Sequence, residues 1–225
     1  MQNHILTTQE LFAPGHTRAW AHLSGYEYPW EILAEIKDII REVGATLPPD
    51  EYDHPAEDIW IARSARIAPT AYIGAPAIIG ADTEVRHGAF IRGAALVGDG
   101  CVVGNSVELK NCILFDGVQV PHYNYVGDSV LGYKAHMGAG AVTSNVKSDR
   151  TLVSVRAGDE VLETSLKKMG AILGDRVEVG CNSVLNPGTV VGADSNIYPL
   201  SSVRGTVPPR CILKSGKGTE IVEKQ

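Results

Sequence analysis

The sequence predicts a mainly β protein, a left-handed parallel β-helix of hexapeptide repeats with an N-terminal α-helical cap and an inserted β-hairpin. Three observations carry that expectation. Aliphatic residues recur every six positions from Ile61 through Ile67, Ile73, Ile79, Val85, Ile91, Val97 and Val103 to Leu109. Glycine often follows them, as in Ile73-Gly74, Ile79-Gly80, Val97-Gly98 and Val103-Gly104. After an interruption the frame returns at Leu173, Val179, Leu185, Val191, Ile197 and Val203. A period of six suits neither a free helix nor a lone strand. It suits short strands that each supply one inward aliphatic and turn a corner on a small residue. Three hexapeptides close one triangular coil, so residues eighteen apart become vertical neighbours about 4.8 Å apart.

Taken in order, residues 1–58 read as a helical cap and connection. Thr7-x-x-Glu10 before Leu11-Phe12 is a capping-box signal for a short helix. From Pro29 to Val43, the residues Ile32, Leu33, Ile36, Ile39, Ile40 and Val43 make one apolar stripe, with Pro29 at the start and Gly44 at the stop. An exposed terminal coil is an open sheet edge, so this helix is expected to cap the first coil. Residues 59–209 form the β-helix. Two of its turns, Leu109 to Leu114 and Val126 to Leu131, are one residue short and bracket His122. Within about 144–171 the frame breaks, and the strand-like runs on either side of Ala157-Gly158-Asp159 predict a hairpin extruded from the coil. Residues 210–225 add an edge strand at Cys211 to Leu213 and a loose charged tail after Lys214.

Composition narrows the function classes. A formal charge of −6 and a pI near 5.6 argue against general affinity for nucleic acid or membrane surfaces, which repel a net anion. The start MQNHILTTQELF lacks the basic and apolar regions of a signal peptide, and no stretch is apolar for the length a membrane span needs, so a cytoplasmic protein is expected. The cysteines Cys101, Cys112, Cys181 and Cys211 show no C-x-x-C spacing and read as inert thiols.

The reactive side chains concentrate in residues 103–142. His122 follows Val120-Pro121 at a corner, where a side chain points out of the prism, and imidazole is suited to take a proton near neutral pH. Arg92 and Lys110 lie eighteen apart and each follows an inward aliphatic, so they are expected to stack as a compact anion site. Tyr125, three residues after His122, is placed to bond the same ligand. The run Met137-Gly138-Ala139-Gly140-Ala141 leaves backbone groups unshielded, a surface suited to an extended pantetheine arm.

These residues resemble a family. Arg92-Gly93, Gly104-Asn105-Ser106-Val107-Glu108-Leu109-Lys110, His122-Tyr123-Asn124-Tyr125-Val126-Gly127-Asp128 and Gly138-Ala139-Gly140 with Thr143-Ser144-Asn145 occur in order. The stretch is similar to the acetyltransferase domain of the bifunctional glucosamine-1-phosphate acetyltransferase/N-acetylglucosamine-1-phosphate uridylyltransferases. The hairpin region, with Lys168-Met169-Gly170 and Asn186-Pro187-Gly188, looks most like their archaeal sugar-1-phosphate relatives. The resemblance implies an acetyl-CoA-dependent N-acetyltransferase acting on an amino-sugar phosphate, working as a homotrimer and needing no metal. It implies His122 as general base, Arg92, Lys110 and Tyr125 as phosphate ligands, Asn145 at the acceptor and Ala139 at the acetyl thioester. His136 stands where the uridylyltransferase-linked enzymes have a sugar-binding Asn, and Cys181 and Pro199 replace small residues that face coenzyme A. No glycine-rich phosphate loop occurs in residues 1–60, so the nucleotidyltransferase domain is expected to be absent. Two other readings compete: a sugar-nucleotide-binding or assembly module that has lost catalysis, and a zinc β-helix enzyme, for which His87, His122 and His136 lack the spacing.

Overall fold

The computed structural model describes residues 4–215 and 219–223. Its core is a parallel β-helix whose coils stack in register. One ladder runs Ile79, Val97, Leu114, Leu131, Leu173, Val191 and Val207, each paired with the next coil. All seven are buried.

The prism has three faces. The first carries strands such as Ala77–Ile79, Ala95–Val97, Ala171–Leu173 and Thr189–Val191. The second carries Glu84–Val85, Val102–Asn105, Gln119–His122, His136–Met137 and Glu178–Val179. The third carries Tyr72–Ile73, Phe90–Ile91, Val142–Thr143 and Val184–Leu185. The two five-residue turns have a visible consequence. Glu108–Leu114 and Tyr125–Leu131 each run as one strand around the corner between the third and first faces, and so join those faces into one sheet. Asn111 and Asp128 make those corners alone, at φ of 51° and 49°. That left-handed region is one that Asn and Asp tolerate better than most residues.

The N-terminal helix departs from expectation. Instead of one helix over Pro29 to Val43, a 3-10 turn, Glu31–Ala34, precedes an α-helix, Ile36–Gly44, with Glu35 at φ −111° between them. Nor does it sit across the end of the prism. It lies along the first face, against the strands of three successive coils. The reason is chemical. Side chains alternate along a strand, so the residue before each inward aliphatic points outward. On this face those residues are Ile78, Leu96, Ile113, Val130, Ile172 and Val190, an apolar stripe with 0% exposure. The same outward positions on the second face are mostly polar: Glu84, Gln119, His136 and Glu178, with Val102 between the first two. Within this chain it is the first face that is covered, by Ile32, Ile36 and Ile40, themselves 0% exposed, while Tyr72, Phe90 and Val184 on the third face stay exposed.

The preceding segment runs along the edge of the same face. Leu11 and His16 accept backbone hydrogen bonds from Asp175 and Asp116, Arg18 pairs with Asp99 at 2.8 Å, and the Phe12 and Phe115 rings stand 4.8 Å apart. Thr7 and Glu10 start the short helix Thr8–Leu11, with Glu10 Oε2 accepting from both the backbone N–H and the hydroxyl of Thr7 at 2.9 Å. At the first coil the edge is closed by a strand, Tyr52–Ala56, antiparallel to Ile59–Ala62. The last coil is closed likewise by Thr219–Glu223 folding back on Cys211–Ser215. The part of the expected loose tail at 219–223 is therefore a strand, while 216–218 and 224–225 lie outside the described residues.

The hairpin forms where expected, Ser154–Ala157 against Glu160–Glu163, turning at Gly158 and Asp159. Val153, Val155 and Ala157 are buried toward the coils; Ser154 and Arg156 alternate to the other side.

Candidate active site

His122 ends the strand Gln119–His122 at the corner between the second and third faces. Its backbone N–H donates to Asn124 Oδ1 at 3.1 Å, and Asn124 Nδ2 donates to the carbonyls of Gly138 and Ala141, which ties this turn to the next coil. The imidazole is exposed and has no hydrogen-bond partner among the described residues. Register stacks Ala139 above it, because Gln119 pairs with His136, and then Cys181 and Pro199, because Met137 pairs with Val179 and Val179 with Ile197. His122, Ala139, Cys181 and Pro199 therefore form one column, one residue per coil. The Ala139 carbonyl accepts from Asn182 N–H at 2.9 Å, while the Ala139 N–H has no acceptor among the described residues.

The cations are elsewhere. Lys110 follows the paired residues Leu109 and Ile91, directly above Arg92 as expected, but at the corner between the third and first faces. The expected pair of free cations is not what forms there. Arg92 Nη1 pairs with Glu108 Oε1 at 2.7 Å, and that carboxylate raises the guanidinium's pKa further. Lys110 Nζ pairs with both oxygens of Asp128, at 2.8 and 3.0 Å.

Asp128 is the hub of this corner. Its side chain is 5% exposed and also accepts from Asn111 Nδ2 at 2.9 Å and from Asn145 Nδ2. Asn145 in turn donates to the Tyr125 hydroxyl at 3.1 Å. That hydroxyl lies where a Cβ on Gly127 would stand, so glycine there lets the ring fold over the strand. Burial, then the Asp128 and Glu108 carboxylates, push the Tyr125 phenol pKa up, which keeps it protonated at neutral pH. Tyr125 thus belongs with Lys110, Asp128 and Asn145 and turns away from His122.

The two groups flank the third face. The strand residues Tyr125 to Gly127 separate them, a span of roughly 10 Å by strand rise. His136 joins neither group. It faces out of the second face and its Nδ1 meets Glu178 Oε2 at 2.7 Å. The register explains this: His136 stacks on Gln119, three residues before the corner that His122 occupies.

Sequence reasoning gave no role to three members of the corner. Asp128 and Asn111 were within reach, since they stack where both short turns fall. Lys37 was not. The docked helix brings it to a cavity of about 460 Å3 beside Arg92, Lys110 and Asn111, and Asn111 Nδ2 holds the helix by donating to the Leu33 carbonyl at 3.0 Å. Among the described residues no three His, Cys, Asp or Glu side chains converge as a metal site would require. No described helix is long and apolar enough to cross a membrane.

Comparison with known proteins places the chain. It is 35% identical over 102 residues to a bifunctional sugar-1-phosphate nucleotidylyltransferase/acetyltransferase of Sulfurisphaera tokodaii, covering 45% of this chain and 25% of that protein. It is 37% identical over 93 residues to the bifunctional protein GlmU of Methanococcus maripaludis, covering 41% of this chain and 22% of that protein. The chain thus spans about a quarter of the length of these relatives. Among solved structures, a perosamine N-acetyltransferase variant from Caulobacter crescentus, in complex with CoA and GDP-perosamine, aligns with a TM-score of 0.38 at 18% identity, covering 73% of this chain and 56% of that one. The resemblance to sugar-1-phosphate acetyltransferase domains read from the sequence agrees with these relatives. The model of the GMPPB C-terminal domain matches residues 78–197, more than half of the 225 residues, so the chain belongs to that family.

Proposed function

We propose that the chain is an acetyl-CoA-dependent N-acetyltransferase acting on an amino-sugar phosphate. The observation that carries this reading is the column of His122, Ala139, Cys181 and Pro199, which joins a free imidazole to an unbonded backbone N–H on the adjacent coil. His122 removes the proton as the acceptor amine attacks the thioester carbonyl. The new C–N bond forms, the C–S bond breaks, and the thiolate of coenzyme A leaves and takes up a proton. The Ala139 N–H points its dipole to the oxyanion of the tetrahedral intermediate. The acetyltransferase function of the Sulfurisphaera tokodaii relative supports the reaction class.

The phosphate falls to Lys110, Arg92 and Lys37, with Asn145 and Tyr125 at the acceptor. The carboxylates of Glu108 and Asp128 leave that corner with only one net positive charge, counting three cations against two anions. An amine and a phosphate on neighbouring sugar carbons cannot bridge the third face of one prism. The reading therefore requires the base column of one chain to meet the cation corner of another, which favours a homotrimer with sites between prisms. His136, paired with Glu178, acts at most at the rim of such a site.

The test is acetyl-CoA-dependent thiol release with glucosamine-1-phosphate and galactosamine-1-phosphate. Replacing His122 by Ala should lower kcat about 100-fold or more with the fold intact; undiminished turnover would sink the assignment. The ion pairs at Arg92 and Lys110 favour a second reading, a sugar-nucleotide-binding or assembly module. Calorimetry separates the two, since the module binds sugar nucleotide and not acetyl-CoA.

A further inference from the structure

On the same corner, one to three coils beyond Asp128, where Ser144, Asn186 and Arg204 stack in turn, the hairpin and the prism enclose a second cavity of about 450 Å3. That volume lies in the range of small-molecule sites. Its cations are Lys147 and Arg156 from the inserted segment and Arg204 from the coil, and its only lining carboxylate is Asp149. Ser144, Ser148 and Ser154 add hydroxyls.

The charge is concentrated, and only Lys147 meets a carboxylate, Asp149. Elsewhere Arg18, Arg41, Arg63, Arg86, Arg92 and Arg176 each pair with a carboxylate, and Arg66, Arg150 and Arg210, which form no ion pair among the described residues, line no cavity together. Arg156 and Arg204 have no ion-pair or hydrogen-bond partner among the described residues. Lys147 Nζ donates to Thr151 Oγ1 at 2.6 Å and to the Leu152 carbonyl at 3.3 Å, which aims it, while Asp149 stands 3.7 Å away. Three cations against one anion leave two net positive charges in a chain of formal charge −6.

The two arginines are also held together. A Cβ on Gly205, next to Arg204, would stand 2.8 Å from the Arg156 carbonyl oxygen, and one on Gly188 would meet the Ser154 carbonyl. The hairpin backbone lies directly on the glycine corners. Alternation then sends Ser154 and Arg156 into the cavity while Val153, Val155 and Ala157 anchor the strand beneath. Two planar guanidinium forks held on opposed backbones can each grip a pair of oxygens of a tetrahedral, multiply charged phosphate.

We propose that this cavity binds a phosphorylated small molecule through a dianionic phosphoryl or pyrophosphoryl group, gripped by Arg156 and Arg204 with Lys147 as a point charge. The site shares no lining residue with the cavity at the Lys110 corner and does not rest on acetyl transfer.

The test is isothermal titration of the full chain in low-salt buffer with inorganic pyrophosphate, uridine diphosphate, glucosamine-1-phosphate and sulfate. A phosphate compound should bind more tightly than sulfate, and the order among the three identifies its source. Arg156→Ser and Arg204→Ser should each raise Kd about tenfold or more, with unchanged melting temperature because both side chains are exposed. Arg156→Lys should recover only part of the loss, because it restores charge without the fork. Arg63→Ser, at the first coil, should leave this binding unchanged. Failure of all three phosphate compounds to bind overturns the proposal. So does binding that responds to Arg92→Ser and not to Arg156→Ser or Arg204→Ser.

Discussion

Replacing Asp128 by Asn probes the corner that most of the polar network depends on. The change keeps side-chain volume and the tolerance for φ 49°, but removes the charge and turns one acceptor into a donor. Asp128 is 5% exposed and accepts two bonds from Lys110, at 2.8 and 3.0 Å, and others from Asn111 and Asn145. A charge-assisted hydrogen bond contributes about 1.5–3 kcal/mol, and breaking a fully buried pair costs about 3–5 kcal/mol. The Lys110 side chain is 27% exposed and regains some water, so the expected loss is about 2–4 kcal/mol. For a chain this long that corresponds to a fall in Tm of roughly 4–16 °C. Urea unfolding suits the measurement because, unlike guanidinium chloride, it does not screen charge. A double-mutant cycle with Lys110→Met isolates the pair, with an expected coupling of about 1.5–3 kcal/mol. A coupling below about 0.5 kcal/mol would refute the claim that Asp128 holds Lys110, and would return Lys110 to the role of a free anion ligand.

Three further predictions follow from the packing. Burial pushes the Cys101 and Cys112 thiols up to about 12, and Cys211 is buried while Cys181 is exposed. A thiol reagent at neutral pH should therefore label Cys181 rapidly in the native protein and the other three only in denaturant; fast labelling at Cys112 would contradict the burial. Coenzyme A, if it lies along the proposed column, should protect Cys181. Gly104→Ala should prevent folding or cost more than about 3 kcal/mol, because its Cβ would collide with the Pro121 backbone of the next coil; a Tm near that of the parent would show that the coils can separate there. Burial also raises the Asp116 and Asp175 carboxyls above their usual range. Folding then favours their protonated forms, so their contribution is fullest below the unfolded value of about 4 and declines as pH rises through the raised folded values. Asp116→Asn should flatten the fall in Tm just above about pH 4; an unchanged Tm–pH curve would contradict the shift.

Particular residues show how far the sequence could be read. The period of six placed Ile79 on Val97 and Lys110 above Arg92, and the short turns at Asn111 and Asp128 marked where two faces merge. The hairpin at 154–163 was legible because a break in period has a location as sharp as the period itself. The site was legible only as columns. His122 and Lys110 fall in one cluster of the sequence, yet they stand at opposite edges of the third face. The cover of the first face was written in Ile78, Leu96, Ile113, Val130, Ile172 and Val190, but only when the outward positions of the three faces are compared.

By itself, then, the sequence determined what repeats: coil geometry, the buried ladder, and which residue stacks on which. Translation along a β-helix converts spacing into contact, so those relations need no further information. The tertiary structure decided what does not repeat. It set Lys37 beside Arg92, paired Lys110 with Asp128 and His136 with Glu178, and brought Arg156 next to Arg204. Those outcomes depend on where aperiodic segments dock and which charge reaches which partner, and the free energies involved are settled by packing across the whole prism.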